Sequence, residues 1–519
     1  MKQTAVKLIL AVFVCAGAAA ASIPTIRINT LNNEALRATQ HRDPNGGFIN
    51  VYTFHYSAMT FVLTDPRNPA NNISKTTFAD SVRGRGNSTW NQDKKPYRIR
   101  FDQRTSLFGK PEARSWVLLA NVYDSTLLLN TVAFELGRRL GLAHTNTSQF
   151  VHVHFNNVYR GIYQLTEQIQ VNQRRIAIDS RNGWLVEFNY HHPKPHEIYF
   201  VTNNYRLPTT IKSPEDLPND AGYDFVRREV NQMTDLMIAG NFPENGYRDL
   251  VDIDSYVKYI MVQLFMDNHD FNNQSMSEPE PGSNFAYKDF EKKIHAGPLW
   301  DFDLSCGIRF MGFNVQHFTT FQREVRPLHP FYRRFFDDPV FRARWKKTWD
   351  RHHNDFRTIP AFIDSLANVL ADTIEANFRI QNLSGGGGFG PAGRQLTRQQ
   401  YMQEKINPLK QWWNSRVNFF DQQITAMNID TTLDIATSVA QRAHQPAADR
   451  NIRVIGSAVN LRANSNASLK VFTLSGREVR RYDLPQGSHS INLNKLPKGM
   501  YMVRGRVDGK DVALRVNLR

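Results

Sequence analysis

The sequence predicts an α+β protein that ends in a separate all-β domain. Three observations carry this. The chain has 519 residues, several times a typical domain. Its first 430 residues mix helix-period apolar faces with short alternating strands. Its last 70 residues are short alternating runs broken by turn residues, the pattern of a small Ig-like β-sandwich. Apolar residues make up 41%, with 34 Phe, 18 Tyr and 8 Trp, which supplies a large core and excludes global disorder. The expected divisions are a signal peptide over 1–21, a main region over 22–435 with N-terminal strands at about 23–65, a linker over 436–450, and the sandwich over 451–519.

Lys2 and Lys7 precede an apolar run from Leu8 to Ala21, and Ala19 and Ala21 offer a small-x-small cleavage site. This reads as a secretory signal. A lipoprotein reading would use Cys15, although Phe13-Val14 is a poor lead-in. No later stretch reaches ~18 uninterrupted apolar residues, so no transmembrane helix is expected. After cleavage Cys306 is the sole cysteine, which forbids an intrachain disulfide, fits a bacterial exported protein and reads as a buried thiol.

Arg83-Gly84-Arg85-Gly86-Asn87-Ser88-Thr89-Trp90 is a basic, turn-rich segment that leads into a strand at Lys94-Lys95-Pro96-Tyr97-Arg98-Ile99-Arg100-Phe101. Glycines that let amides approach an anion, with cations beside them, suit a phosphate, but a plain basic turn reads the same way. No GxxxxGK[ST] occurs. Asp124 can cap a helix running to about Leu140 and ending at Gly141. Phe150–Phe155 and Val158–Leu165 read as a hairpin through Asn156-Asn157. His152 and His154 share one strand face but lack a third metal ligand, and His191, His192 and His196 read as loop residues. Glu167 reads as lying just past the second strand and Glu187 as lying within another apolar strand, and nothing local decides between an ion pair and solvent.

Residues 254–303 are the most informative. Val257, Ile260, Met261, Leu264 and Phe265 form a buried helix face. That helix delivers Asn268-His269-Asp270-Phe271-Asn272-Asn273. Two strands then follow, Asn284–Tyr287 and Lys293–Trp300, the second ending at Asp301-Phe302-Asp303. Protein kinases share this order: a catalytic loop with Asp and Asn, two strands, then a metal-binding Asp-Phe-Gly. Phosphoryl transfer needs carboxylates for Mg²⁺, a carboxylate for the attacking hydroxyl and a cation on the phosphates. Asp-x-Asp after a strand is also a common surface feature. Gly385, Gly387 and Gly390 fit GxGxxG formally, but no strand precedes them and Pro391 follows, so they read as a surface loop. Trp412, Trp413, Val417 and Phe420 read as the core face of a helix around 410–423.

Together, "RGRGNSTWNQDKKPYRIRF", "WVLLANVYDSTLLLN", "ELGRRLG", "FNNVYRGIYQLTEQI", "DNHDFNN" and "GPLWDFDLSCG" resemble the CotH (spore-coat protein H-like) kinase family over roughly residues 23–430. The resemblance implies an atypical protein-kinase-like fold that uses ATP and Mg²⁺ or Mn²⁺ to phosphorylate protein serine. It implies Asp270 as catalytic carboxylate, with Asp301, Asp303 and Asn273 as metal ligands. For nucleotide it implies Lys95 or its rival Lys94, Arg85, and Glu167 as partner of that lysine. Where the family often has Arg this chain has Leu129, which would weaken a phosphate contact. A non-catalytic binding or assembly protein on the same scaffold is the alternative. The tail, "LSGREV", "LPKGMYMVR" and "VALRVNLR", resembles the C-terminal sorting domain of Bacteroidetes type IX secretion. It implies that machinery as a partner, with the cell surface or the medium as destination and a secreted or surface protein as substrate.

The charge distribution agrees. The formal net charge is +16, but residues 451–519 hold 13 basic and 4 acidic residues, and residues 22–450 hold 49 basic and 44 acidic. Most of the excess lies on the tail, so nucleic acid is not an expected partner of the main region.

Overall fold

The structure is a computed structural model. It describes residues 23–42, 48–53, 59–77, 81–190, 197–217, 219–271, 281–309, 312–313, 325–326, 328–381, 396–433, 452–455, 458–473, 478–497, 499–508 and 510–518. The expected signal segment and linker, Asn273, the 191–196 histidines and the 385–390 glycines lie outside these residues. The protein is α+β with a C-terminal all-β region, and it divides into two compact units, Met1–Asp430 and Thr431–Arg519.

In the first unit the strands are β1 (Thr25–Asn29), β2 (Ala38–Arg42), β3 (Phe48–Tyr52), β4 (Met59–Thr64), β5 (Ile73–Thr77), β6 (Ser81–Gly84), β7 (Tyr97–Thr105), β8 (Ala113–Leu119), β9 (Gln149–Phe155) and β10 (Val158–Glu167). Eight of them form one sheet in the order β5-β4-β1-β9-β10-β8-β7-β6, while β2 and β3 pair separately. All its neighbours run antiparallel except β1 and β9. The run Trp116-Val117-Leu118-Leu119 shows why β8 lies inside. Trp116 and Leu118 join one apolar cluster with Ile99 and Val151, and Val117 and Leu119 join the other with Phe150 and Ile162. A strand covered on both faces needs apolar residues at every position. The β9–β10 hairpin turns at Asn156 and Asn157, both at positive φ as its two-residue turn requires.

Helix α1 (Leu129–Arg139) starts later than its capping acid suggests. Asp124 accepts from Leu129 N at 2.8 Å and from Thr126 N and Oγ1, so it closes a turn ahead of the helix. Leu129 is fully buried in the core. A second, antiparallel sheet holds β11 (Trp184–Phe188), β12 (Ile198–Val201), β13 (Pro208–Ser213), β14 (Asn284–Lys288) and β15 (Ile294–Ala296) in the order β12-β13-β11-β14-β15. Against it pack α2 (Asp224–Ile238), the short α3 (Tyr247–Leu250) and α4 (Ile253–Phe265). The strand expected over Lys293–Trp300 stops at Ala296. Gly297 sits at φ +107 and Pro298 has no N–H for a ladder, so the acids beyond are carried on a loop.

The Asn407–Ala426 helix buries Trp413, Val417 and Phe420, and with them the charged Arg416. Arg416 Nε donates to Phe265 O at 2.9 Å and its Nη2 to Leu264 O at 2.5 Å. A guanidinium therefore closes the carbonyl end of α4.

In the second unit, Ile452–Ile455, Ala458–Ala463 and Gly487–Asn492 form a three-stranded sheet. Glu478–Leu484, Ala467–Thr473, Gly499–Val507 and Lys510–Leu518 form a four-stranded one. Val459, Leu461 and Ile491 from the first share an apolar cluster with Leu469, Val471, Val503 and Val516 from the second.

Candidate functional site

A cavity of about 770 Å³ lies within the first unit, and Asp270, Asp301, Asp303, Arg85 and Lys212 are among its lining residues. Asp270 follows the end of α4. The chain leaves that helix through Asp267 at φ +50, and Asn268 is then buried. Asn268 Oδ1 accepts from Asp270 N at 3.2 Å, and its Nδ2 donates to Asp301 O at 3.2 Å. One amide side chain thus ties the first acidic loop to the second. His269 N donates to Leu304 O at 3.0 Å and Cys306 N to Met266 O at 2.6 Å, which lace the two loops further.

Asp301 has φ +64, a left-handed conformation that costs free energy for a residue with a Cβ. The loop holds it there. Ser283 Oγ donates to its carboxylate at 3.1 Å. The next residue, Phe302, donates its N–H to Asn130 Oδ1 at 2.9 Å, and Asn130 belongs to the first turn of α1. Asp303 is 7% exposed.

The electrostatics are those of crowded carboxylates. Burial, then the Asp301 charge, raises Asp270 far above the usual carboxylate range. Burial, then Asp301 and Asp270, raises Asp303, and Arg85 opposes this. Arg85 stacks over Trp300 at 5.4 Å from the ring centroid. Burial works against its charge, and Asp301, Tyr52, Asp303 and Glu187 support it. Gly84 is there because the ring of Trp90 presses on it: a Cβ would meet ring carbons at 2.4–2.8 Å. Gly86, at φ +88, turns the chain after Arg85.

The other sequence-selected residues lie elsewhere. Lys94 is 1% exposed and donates to Ile162 O at 2.6 Å and Asn377 Oδ1 at 2.8 Å, and burial lowers it to about 7. Lys95 donates to Trp90 O and lies over that ring. Glu167 accepts from Thr147 N at 2.7 Å and Thr147 Oγ1 at 2.6 Å. None of these three lines the cavity. Among the described residues, Lys212 on β13 does line it, paired with Glu187 at 2.9 Å and Glu197 at 2.7 Å. Burial opposes its charge, and the two acids more than restore it. Nothing local singles out Lys212, because its pairing with β11 is long-range. His152 bonds Tyr159 OH at 2.8 Å and is pushed down to about 4 by burial and by His154.

Among the described residues no group of three or more His, Cys, Asp or Glu side chains is placed to hold a metal. Mg²⁺ asks for less: one or two carboxylates, with phosphate oxygens and water completing the shell. Asp301 and Asp303 fit that donor set, and crowded buried carboxylates favour a divalent cation.

The three acids thus lie on the loop after a helix and on the loop after a strand pair. The family model for CotH kinase protein matches residues 82–420, and the chain belongs to that family. The model for a secretion system C-terminal sorting domain matches residues 456–516. That domain indicates export through type IX secretion to the cell surface or beyond. No curated protein gives a match. Among the described residues no helix is long and apolar enough to cross a membrane.

Proposed function

We propose that the protein is an exported atypical kinase that transfers the γ-phosphate of ATP to serine of secreted or surface proteins. The observation that supports this is the convergence of Asp270, Asp301 and Asp303 on one cavity with Arg85 among them. The first unit, on this reading, is a kinase-like domain and the second a sorting sandwich. Asp301 and Asp303 would hold Mg²⁺ or Mn²⁺, which supplies charge neutralisation at the phosphates. Arg85 contacts phosphate oxygens. Asp270 orients the serine hydroxyl: the Oγ–P bond forms, the bond to the β-phosphate oxygen breaks, and the serine proton passes to Asp270. Lys212, held by Glu187, takes the place of a kinase lysine, a role that Lys94 and Lys95 cannot fill without leaving their present partners.

The test is incubation of the purified protein with labelled ATP, Mn²⁺ and serine-containing acceptors, alongside Asp270→Asn and Asp301→Ala. Label on serine, lost in Asp270→Asn, and an ATP-dependent thermal shift, lost in Asp301→Ala, are the expected results. No label and no shift in wild type would overturn the proposal. One observation favours a non-catalytic scaffold instead: neither sequence-selected lysine lines the cavity. A partner whose binding survives loss of all three acids would support that reading.

A further inference from the structure

The cavity runs on past Arg85 along the eight-stranded sheet. Arg83 on β6 stands opposite Arg98 on β7, and Ser81 stands opposite Arg100. Residues two apart on a strand share a face, so Arg83, Arg98 and Arg100 continue the row that Arg85 begins, and all four line the cavity. From the level of Arg85 to that of Arg100 is four residues, about 13 Å at ~3.3 Å per residue. Like charges directly opposite in a sheet destabilise it. Burial lowers Arg98, the charges of Arg83, Arg100 and Arg85 push the same way, and Glu215 opposes them. Arg98 Nη2 also donates to Ser115 Oγ at 3.2 Å. On the neighbouring wall, Glu187 and Glu197 are engaged by Lys212, and among the described residues Glu215 and Asp216 also line the cavity at this end.

A fold that gathers four guanidiniums along one wall has built a site for an anion. A triphosphate anchored at Asp301 and Asp303 meets Arg85 first and is shorter than the row, so the far end is left for another group. We propose that Arg98 and Arg100 form an acceptor subsite for an anionic side chain, so that the substrate serine is flanked by an acidic or already phosphorylated residue. The direction of this assignment, serine towards Asp270 and anion towards Arg100, rests on the kinase reading; the binding itself does not.

The test is therefore a binding measurement without nucleotide. Fluorescence anisotropy on the full-length protein would compare labelled peptides in which serine is flanked by Gln, by Glu or by phosphoserine. The Glu and phosphoserine peptides should bind about tenfold or more tightly than the Gln peptide, the scale of one charge-assisted contact. The two anionic arms show whether carboxylate or phosphate is preferred. Arg100→Gln should erase the preference, and Glu215→Gln should increase it, a gain that misfolding cannot imitate. Equal affinity for all three peptides would overturn the proposal. So would an Arg100→Gln protein that keeps the preference and loses its ATP-dependent thermal shift, because the row would then serve the nucleotide. Peptide preference without any phosphate transfer would sink the kinase reading alone.

Discussion

Replacing Asn130 with leucine isolates what α1 contributes to the acids. Asn130 is 3% exposed, and its Oδ1 takes the N–H of the fully buried Phe302 at 2.9 Å. Leucine has a similar size and no acceptor, so that N–H is left unsatisfied, at a cost of about 1–3 kcal/mol. The second bond, Asn130 Nδ2 to Asn121 Oδ1 at 3.4 Å, is long and adds little. A loss near ~2 kcal/mol leaves a domain of ordinary stability folded. The larger effect falls on Asp301, which sits at φ +64 one residue before the lost bond. On the proposed function Asp301 holds the metal, and removing a group that orients a metal ligand typically costs about 10–100-fold in metal affinity. Thermal melts over a Mn²⁺ series would show both effects: a slightly lower melting temperature without metal and a midpoint shifted to at least tenfold higher Mn²⁺. Asn130→Asp keeps an acceptor for Phe302 and should melt nearer to wild type. An Asn130→Leu protein that matches wild type in both readings would refute the claim that α1 positions the acidic loop.

Three further outcomes follow from the packing. Lys94 titrates near 7 in the fold and near ~10.5 unfolded, so the unfolded chain binds the extra proton between these values. The stability that Lys94 contributes is present above ~10.5 and lost as pH falls through about 7; melts from pH 6.5 to 10 should show a rise in wild type that flattens in Lys94→Met. Arg416→Leu uncaps two buried carbonyls and should destabilise the first unit by about 3–6 kcal/mol, at ~1.5–3 for each charged bond, measurable by urea titration. In Gly505→Ala the new Cβ would lie 1.8 Å from Ser468 O, so the second unit should lose ~3 kcal/mol or more and become protease-sensitive, with the ATP-dependent shift of the first unit unchanged.

The features legible in the sequence were those whose causes are local. A helix with one apolar face, a hairpin and an acid at the end of each bring Asp270, Asp301 and Asp303 within reach of description before any coordinates. The Asn156-Asn157 turn is legible for the same reason. Lysines are different, because a four-carbon stem lets the fold decide where the charge goes. Lys94 and Lys95 adjoin a basic turn, yet the first is drawn into Ile162 and Asn377 and the second folds back on Trp90. Glu167 goes to Thr147, while Lys212 and Glu187 meet only because β13 and β11 pair across more than twenty intervening residues. The strand read through to Trp300 ended early at Gly297-Pro298, a break that the sequence did display.

The bond between Arg416 and α4 sets a limit on processing. The arginine lies in the last helix of the first unit, yet it holds the end of the helix that presents Asp270. The end of the helix ahead of Asp270 is therefore closed by a residue about 150 positions downstream. A protease that trims the second unit and spares the first must cut beyond Asp430. A cut ahead of Arg416 would release a fragment that retains every acid of the site and lacks the guanidinium that closes α4.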